Sequence, residues 1–111
     1  MDAESTDEEN VSVVKLLTPR LDASSVVEFS ALIDRLIEDG KLRILVDMAE
    51  IQFIDSSGLG AMTSGKKKLG EKGRIAFCSL QQQPRRMLAL TRMDRVFELH
   101  EGRDTAVGAF Q

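Results

Sequence analysis

Residues 53–60 read Phe-Ile-Asp-Ser-Ser-Gly-Leu-Gly, and this stretch joins an apolar run to a segment with helical periodicity. Before it, the dense aliphatic residues of 41–47 predict a strand that is covered on both faces. After it, Leu59, Met62 and Leu69 recur at helical intervals, which predicts a helix from Ser57 to about Lys72 that ends at Gly73. Since sites in open α/β sheets gather at the carboxyl ends of strands, this junction is the first candidate for a functional site.

Two serines stand at the junction, and two interpretations of them are open. The first N–H groups of a helix lack internal partners and lie at the positive end of its dipole, so a phosphate on Ser56 would meet free donors. The alternative is that one serine only caps the helix, which is worth about 1 kcal/mol. We expect Ser57 to be the cap, held inward, and Ser56 to project outward beside Asp55.

The rest of the chain alternates between predicted strands and helices. Strands are predicted over 11–17, 41–47, 74–80 and 96–99, and helices over about 25–39, 57–72, 84–90 and 104–110. Ser25 and Glu28 match a capping box for the first helix, and Gly40 is placed to end it. Residues 48–54 are expected to form a connecting loop. This order predicts a single α/β domain whose mixed, mainly parallel sheet is flanked by about four helices.

Composition limits the classes of function. The chain has 111 residues, of which 42% are hydrophobic and 30% charged, as in one soluble domain. No apolar run approaches the roughly 20 residues of a membrane helix, so we expect a cytoplasmic protein. A net charge of −3 argues against nucleic acid as a partner. Residues 1–10 read as a disordered acidic leader before a domain over 11–110, which would leave the strand Val11–Leu17 near an edge.

Residues that could carry catalysis or bind a metal are few. Cys78 lies in an apolar stretch and is expected to be a small buried hydrophobe. His100 is the only histidine and lies far along the chain from the serines, which also lack the preceding glycine of a nucleophile elbow. The run Lys66–Lys68 is expected to be a solvated helix face. We expect no catalytic residue, no metal site and no cofactor.

The segment Ile54–Gly60 resembles the signature of STAS domains of the anti-sigma-factor-antagonist type. The resemblance extends from about Val11 to Phe110. It includes the Leu21-Asp22 pair, the strand leading into the motif, Gly73-Arg74-Ile75, and Met87-Leu88-Ala89-Leu90. Three departures stand out: Pro19-Arg20 replaces the usual Gly-Glu, Ala89 replaces Phe, and Met93-Asp94 stands at the expected Gly-Leu turn.

The resemblance implies a switch. Ser56 would be phosphorylated by a partner anti-sigma factor that is itself a serine kinase, and Asp22 and Asp55 match acidic positions beside it. The unphosphorylated chain would bind that partner and free a sigma factor, and a protein phosphatase would reset the complex. The residues expected to contact the partner are Asp22, Asp55, Ser57, Gly58, Leu59, Met62 and Gly65. The chain is expected to be a monomer.

A second interpretation stays open at this stage. STAS modules also belong to other assemblies, such as a stress-signalling scaffold or a subunit associated with a transporter. A phosphorylatable residue at position 56 favours the switch.

Overall fold

A computed structural model describes residues 1–111. The strands are β1 (Ala3–Glu8), β2 (Val11–Leu16), β3 (Arg20–Leu21), β4 (Arg43–Asp47), β5 (Phe53–Ile54), β6 (Arg74–Cys78) and β7 (Glu98–His100). The helices are α1 (Val26–Glu38), α2 (Ser56–Leu69), α3 (Gln82–Leu90) and α4 (Arg103–Ala109), with 3₁₀ turns at Gly70–Lys72 and Met93–Arg95.

Five strands form one sheet in the order β1-β2-β4-β6-β7. β1 and β2 are antiparallel, and every other neighbouring pair is parallel. The predicted fold class, a single α/β domain with a mixed, mainly parallel sheet and four helices, is confirmed. The last strand begins two residues later than predicted, at Glu98, because Val96 closes the 3₁₀ turn before it.

The acidic N-terminal segment is ordered, so the prediction of a disordered leader is wrong. Ala3–Glu8 pairs residue by residue with Val11–Leu16. Glu9 and Asn10 join the two strands with φ of 51° and 68°, as a two-residue hairpin turn requires. β1 is therefore the edge strand, and β2 lies inside the sheet. The side chains of β1 are mostly exposed. β1 is held by main-chain pairing with β2 and by ion pairs of Asp7 with Lys41 and of Glu8 with Arg103, none of which composition reveals.

The two faces of the sheet are covered unequally. Alternate residues of the central strands, such as Val14, Val46 and Phe77, point into a cluster of 19 buried residues beneath α1, α2 and α3. The residues between them point into a cluster of 8 that is closed by α4. Phe77 and Phe97 meet edge to face at 5.3 Å in the larger cluster.

The ends of α1 differ in part from prediction. Gly40 has φ 76° directly after the helix, which confirms its role as a terminator. The predicted capping box of Ser25 and Glu28 does not form. The Ser25 hydroxyl accepts from the Asp22 N–H and donates to the Arg20 carbonyl, both at 3.0 Å, so it braces the preceding loop. Glu28 pairs with the amino group of Met1 instead of reaching back to the cap.

A second, two-stranded sheet lies where only loops were predicted. β3 pairs with β5 in parallel, with Arg20 opposite Phe53 and Leu21 opposite Ile54. The Pro19 carbonyl accepts from the N–H groups of Gln52 and Phe53, which extends the pairing. This short sheet fixes the chain on both sides of the candidate site.

Candidate functional site

The pairing of β3 and β5 brings the two predicted acidic residues together. Leu21 lies opposite Ile54, so Asp22 and Asp55 each follow at the next position along the two strands. Asp55 Oδ2 accepts from the Ala23 N–H at 3.4 Å, which ties the two loops to each other. Residues 33 positions apart in the sequence thus form one acidic corner at the start of α2.

Asp55 caps α2. Its backbone is extended (φ −112°, ψ −171°), and its Oδ1 accepts from the Gly58 N–H at 2.9 Å. The helix consequently begins at Ser56, one residue before the predicted start. The expectation that Ser57 caps the helix is wrong, because the carboxylate of Asp55, which precedes both serines, takes that role.

Ser56 and Ser57 are the first two residues of α2, and both are exposed. Neither hydroxyl donates or accepts a hydrogen bond with another protein group, and neither backbone N–H has a protein acceptor, as expected in a first helical turn. Ser56 opens onto a groove of about 430 Å³, whose other lining residues are Leu59, Gly60, Thr63, Ser64, Lys67 and Met93. The exposure of Ser56 at this groove agrees with the prediction that its side chain projects outward.

Asp22 is already engaged with its neighbours. Its carboxylate accepts from the Ser24 hydroxyl at 2.6 Å and from the Arg20 Nε at 2.9 Å. The Ser24 hydroxyl first, and Arg20 second, hold the pKa of Asp22 below its usual value. Arg20 also lies over the ring of Phe53, 4.3 Å from its centroid. The departure at Arg20 therefore places a cation directly on the acidic corner.

Three of the expected partner residues lie on the buried face of α2. Met62 is fully buried. A Cβ on Gly58 would lie 2.1 Å from the Leu21 carbonyl oxygen, and one on Gly65 would contact Ile33 and Ile75 at 3.8 Å. Gly58, Met62 and Gly65 pack inside the domain, so the expectation that they contact a partner is wrong.

The exposed face of α2 offers different residues. Leu59 is partly exposed, and Gly60 has nothing within 4 Å of the position its Cβ would take. Gly60 belongs to the motif over residues 53–60 but was not among the residues expected to contact the partner. Counting four residues on from Ser56 would have placed it on the same face as the serine.

Gln83 is a site residue that the sequence did not single out. Its amide oxygen accepts from the Ile54 N–H at 2.9 Å, and its amide nitrogen donates to the Ile54 carbonyl at 3.0 Å. The side chain thus completes the free edge of β5 directly before Asp55. Gln83 lies between the strand predicted over 74–80 and the helix predicted over 84–90, and nothing in the sequence indicated this contact.

The remaining candidates lie away from the site. His100 bonds to Glu98 on β7. Cys78 is buried, as predicted, and burial raises the pKa of its thiol to about 11. Lys66, Lys67 and Lys68 are exposed, and Lys68 pairs with Asp34.

No group of His, Cys, Asp and Glu side chains is arranged to hold a metal ion. None of the helices has the length and apolar character that a membrane span needs.

Comparison with known proteins finds a matching family model and solved structures with a similar fold. A family model described as the STAS domain matches residues 2–106. An anti-sigma factor antagonist from Mycobacterium paratuberculosis is 24% identical, with a TM-score of 0.88 over 97% of this chain and 92% of that one. The Bacillus cell fate determinant SpoIIAA in its phosphorylated form is 18% identical, with a TM-score of 0.73 over 99% of this chain and 100% of that one.

The fold also occurs in a second setting. A sulfate transporter family protein from Wolinella succinogenes is 12% identical, with a TM-score of 0.79 over 94% of this chain and 87% of that one. At such identities each likeness concerns the fold alone, which the antagonists and this transporter-family protein share.

Proposed function

The chain belongs to the STAS domain family, and on that basis we propose that it acts as an anti-anti-sigma factor switched by phosphorylation of Ser56. The unphosphorylated chain binds an anti-sigma factor that is a serine kinase, and this binding releases a sigma factor. Phosphorylation ends the binding, and a protein phosphatase restores it. In this proposal the chain is a cytoplasmic monomer with no catalytic activity of its own.

The accessibility of Ser56 is the observation that carries the proposal. Its hydroxyl is exposed, makes no hydrogen bond within the protein, and opens onto the groove along α2. Asp55 performs the capping that would otherwise occupy a serine at this junction. The hydroxyl of Ser56 is therefore free to accept a phosphoryl group without cost to the helix.

Charge supplies the physical basis of the switch. A phosphoserine carries about −1.5 to −2 charge units at pH 7, so a chain of net charge −3 would become markedly more acidic. That charge would arrive next to Asp55, whose carboxylate already faces the same helix end. Arg20 offsets Asp22 but is committed to it at 2.9 Å. A partner surface that fits a neutral hydroxyl would meet a doubly charged group in its place.

The same helix end makes the phosphate tolerable in the free domain. The N–H groups of Ser56 and Ser57 have no protein acceptor, and the positive end of the helix dipole lies beneath them. Phosphorylation is therefore expected to change the surface and leave the fold intact. The fold does not distinguish an antagonist from a transporter-associated module, so the proposal depends on this site.

Kinase treatment tests the assignment. The chain and its Ser56→Ala and Ser57→Ala variants are incubated with the cognate anti-sigma factor and ATP, and peptides covering residues 51–66 are mapped by mass spectrometry. We expect phosphate on Ser56 in the wild type and in Ser57→Ala, and none in Ser56→Ala. Phosphate on Ser57 in the wild type, with Ser56→Ala still labelled, would overturn the assignment.

Binding tests the consequence. Ser56→Ala should still bind the anti-sigma factor, whereas Ser56→Asp should bind more weakly because it adds a charge beside Asp55. Ser5→Asp is the matched control, since it adds the same charge on the exposed edge strand β1. Equal affinity of Ser56→Asp and Ser5→Asp would contradict the electrostatic switch.

A further inference from the structure

A cluster of exposed cationic and apolar side chains covers the end of α3 and the turn that follows it. We call it the arginine surface, and its members are Arg86, Leu90, Arg92, Arg95 and Val96, all exposed. Leu90 is 78% exposed and Val96 44%, which are high values for large aliphatic side chains. Arg86 and Leu90 are four residues apart and share a helix face.

The cations of this surface have no acidic partner. Arg86, Arg92 and Arg95 form no ion pair, although Arg20, Arg74, Arg85 and Arg103 all do. The one acid within the turn, Asp94, lines a separate cavity with Arg85, His100 and Glu101. Three arginines without an ion pair thus occur within residues 86–95 of a chain whose net charge is −3.

Backbone geometry gives an independent indication. Arg92 has φ 61° and ψ 18°, in the left-handed region that glycine adopts freely and a residue with a Cβ adopts at a cost. The family resemblance predicted a Gly-Leu turn, which was aligned with Met93-Asp94. The positive φ places the glycine's counterpart at Arg92, one residue earlier. A side chain held in a costly backbone conformation is a candidate for a functional role.

We propose that the arginine surface docks an acidic, amphipathic segment of a partner protein. The unpaired arginines supply charge complementarity, and the exposed Leu90 and Val96 supply apolar anchors in the same segment. Met93, inside the same turn, lines the groove that contains Ser56, so the two surfaces are continuous. The docking itself goes beyond the proposed switch, because it requires neither Ser56 nor its phosphorylation.

Nucleic acid and membrane fit the surface less well. No aromatic side chain belongs to it, so bases would have nothing to stack on. Basic clusters that bind anionic lipid commonly have about four to eight Lys or Arg side chains, and this surface has three arginines. Three phosphate contacts would also hold a nucleic acid only weakly at physiological salt.

The test uses a defined probe, a capped 16-residue peptide of Glu-Glu-Leu-Leu repeats, titrated into the ¹⁵N-labelled full chain. The expected result is amide shifts confined to residues 86–96, with affinity that falls as salt rises. Leu90→Ser and the double variant R86E/R95E should each weaken binding about tenfold or more. Val27→Ser is the matched control, because Val27 is also 78% exposed and residues 21–34 contain no Arg or Lys. The affinity of this variant should equal that of the wild type.

Parallel titrations with oligo-dT and with vesicles of mixed phosphatidylcholine and phosphatidylserine separate the other ligand classes. Tighter binding to either of them than to the peptide would overturn the proposal. So would peptide shifts centred on Lys66–Lys68, or no shift at millimolar peptide. Circular dichroism of each variant establishes that it is folded, and the double charge reversal should not affect folding because Arg86 and Arg95 are both exposed.

Discussion

The carbonyl oxygen of Leu21 lies directly over the Cα of Gly58, so that a Cβ at position 58 would be 2.1 Å from it. This contact packs the first turn of α2 closely against the end of β3. Gly60, two residues further on, lies on the opposite side of the helix with open space around it. The two glycines of one motif therefore have opposite physical roles.

Alanine substitutions should separate those roles. Gly58→Ala must displace backbone, so we expect it to destabilise the domain by about 1–3 kcal/mol or more. Gly60→Ala adds a methyl group in solvent within a helix, and we expect it to stabilise the domain by about 0.5–1 kcal/mol. Urea unfolding of both variants measures the difference. Similar free energies of unfolding would mean that the close approach of Leu21 does not exist in solution.

The cap of α2 gives a second stability test. Asp55→Ala removes the acceptor for the Gly58 N–H and should cost about 0.5–2 kcal/mol. Ser57→Ala removes an exposed hydroxyl without a partner and should change stability by less than about 0.5 kcal/mol. Asp55→Asn keeps an acceptor oxygen and should recover part of the loss. If Ser57→Ala were the more damaging change, Ser57 would be the cap after all.

The sequence predicted the scaffold of the site better than its local contacts. Aliphatic runs such as Ile44–Val46 and the periodicity of Phe29, Ile33 and Leu36 reflect burial, which dominates folding energy and repeats along the chain. β3 and β5 have two residues each, too few for any periodicity. Their existence depends on pairing between distant segments, and so does the meeting of Asp22 and Asp55.

The errors at the site have a common physical origin. Serine and aspartate are both good helix caps, so composition alone could not choose between Asp55 and Ser57. Likewise a glycine in a helix can serve close packing or leave a surface open. Only the position of Leu21 and Ile33 shows that Gly58 and Gly65 serve packing. The family resemblance singled out Ser56. In the structure the hydroxyl of Ser56 is exposed and makes no hydrogen bond within the protein.

Lowering the pH should reduce the free energy of unfolding of the domain, partly through protonation of Glu98. Arg74 first, and His100 as well, hold the pKa of Glu98 below its ordinary 4.5. A carboxylate whose pKa is lower in the folded state stabilises the fold above its unfolded pKa, and that contribution is lost as pH falls through the folded pKa. Glu98→Gln should therefore be less stable than wild type at pH 7.

The comparison with wild type is made across a pH series. The difference in free energy of unfolding between Glu98→Gln and wild type should begin to shrink as pH falls below the ordinary pKa of 4.5, and it should keep shrinking as pH passes through the lowered pKa of the folded state. Asp104→Asn serves as a control on an exposed carboxylate without an ion pair. A difference that stays constant down to pH 3 would show that packing, not charge, is the contribution of Glu98.

Gln83 should act as a positioning residue for Asp55 and Ser56, which directly follow its bonding partner Ile54. Gln83→Ala leaves the N–H and carbonyl of Ile54 without partners and should cost about 1–3 kcal/mol. Gln83→Glu keeps one acceptor but sets a carboxylate oxygen against the Ile54 carbonyl, so it should not restore the wild-type state. Gln82→Ala, at an exposed neighbour without such bonds, is the control.

Hydrogen exchange gives the local measurement. In Gln83→Ala the Ile54 amide should exchange faster, while amides of the central strand β6 change only as far as global stability falls. Phosphorylation of Ser56 should also become slower, because Asp55 and Ser56 follow Ile54 directly. Unchanged exchange at Ile54 relative to β6 would show that the Gln83 bonds do not hold the segment.

Partner binding should depend on Gly60 and not on Gly65, which the sequence had favoured. Gly60 forms part of the groove beside Ser56, and a side chain there would project into open space. Gly60→Gln should keep or raise stability, since glutamine is a better helix former, yet should weaken binding of the anti-sigma factor by filling the groove. Gly60→Ala should have a smaller effect on binding, because the methyl group of alanine fills less of the groove than the side chain of glutamine.

A control on the same helix makes this result specific. Lys66→Gln introduces glutamine on the exposed side of α2 at a residue outside the groove, and its affinity should stay near that of wild type. Affinity and melting temperature are measured together for each variant. If Gly60→Gln binds as tightly as Lys66→Gln, the partner does not use the groove, and the contact around Ser56 must be made through the acidic corner at Asp22 and Asp55 instead.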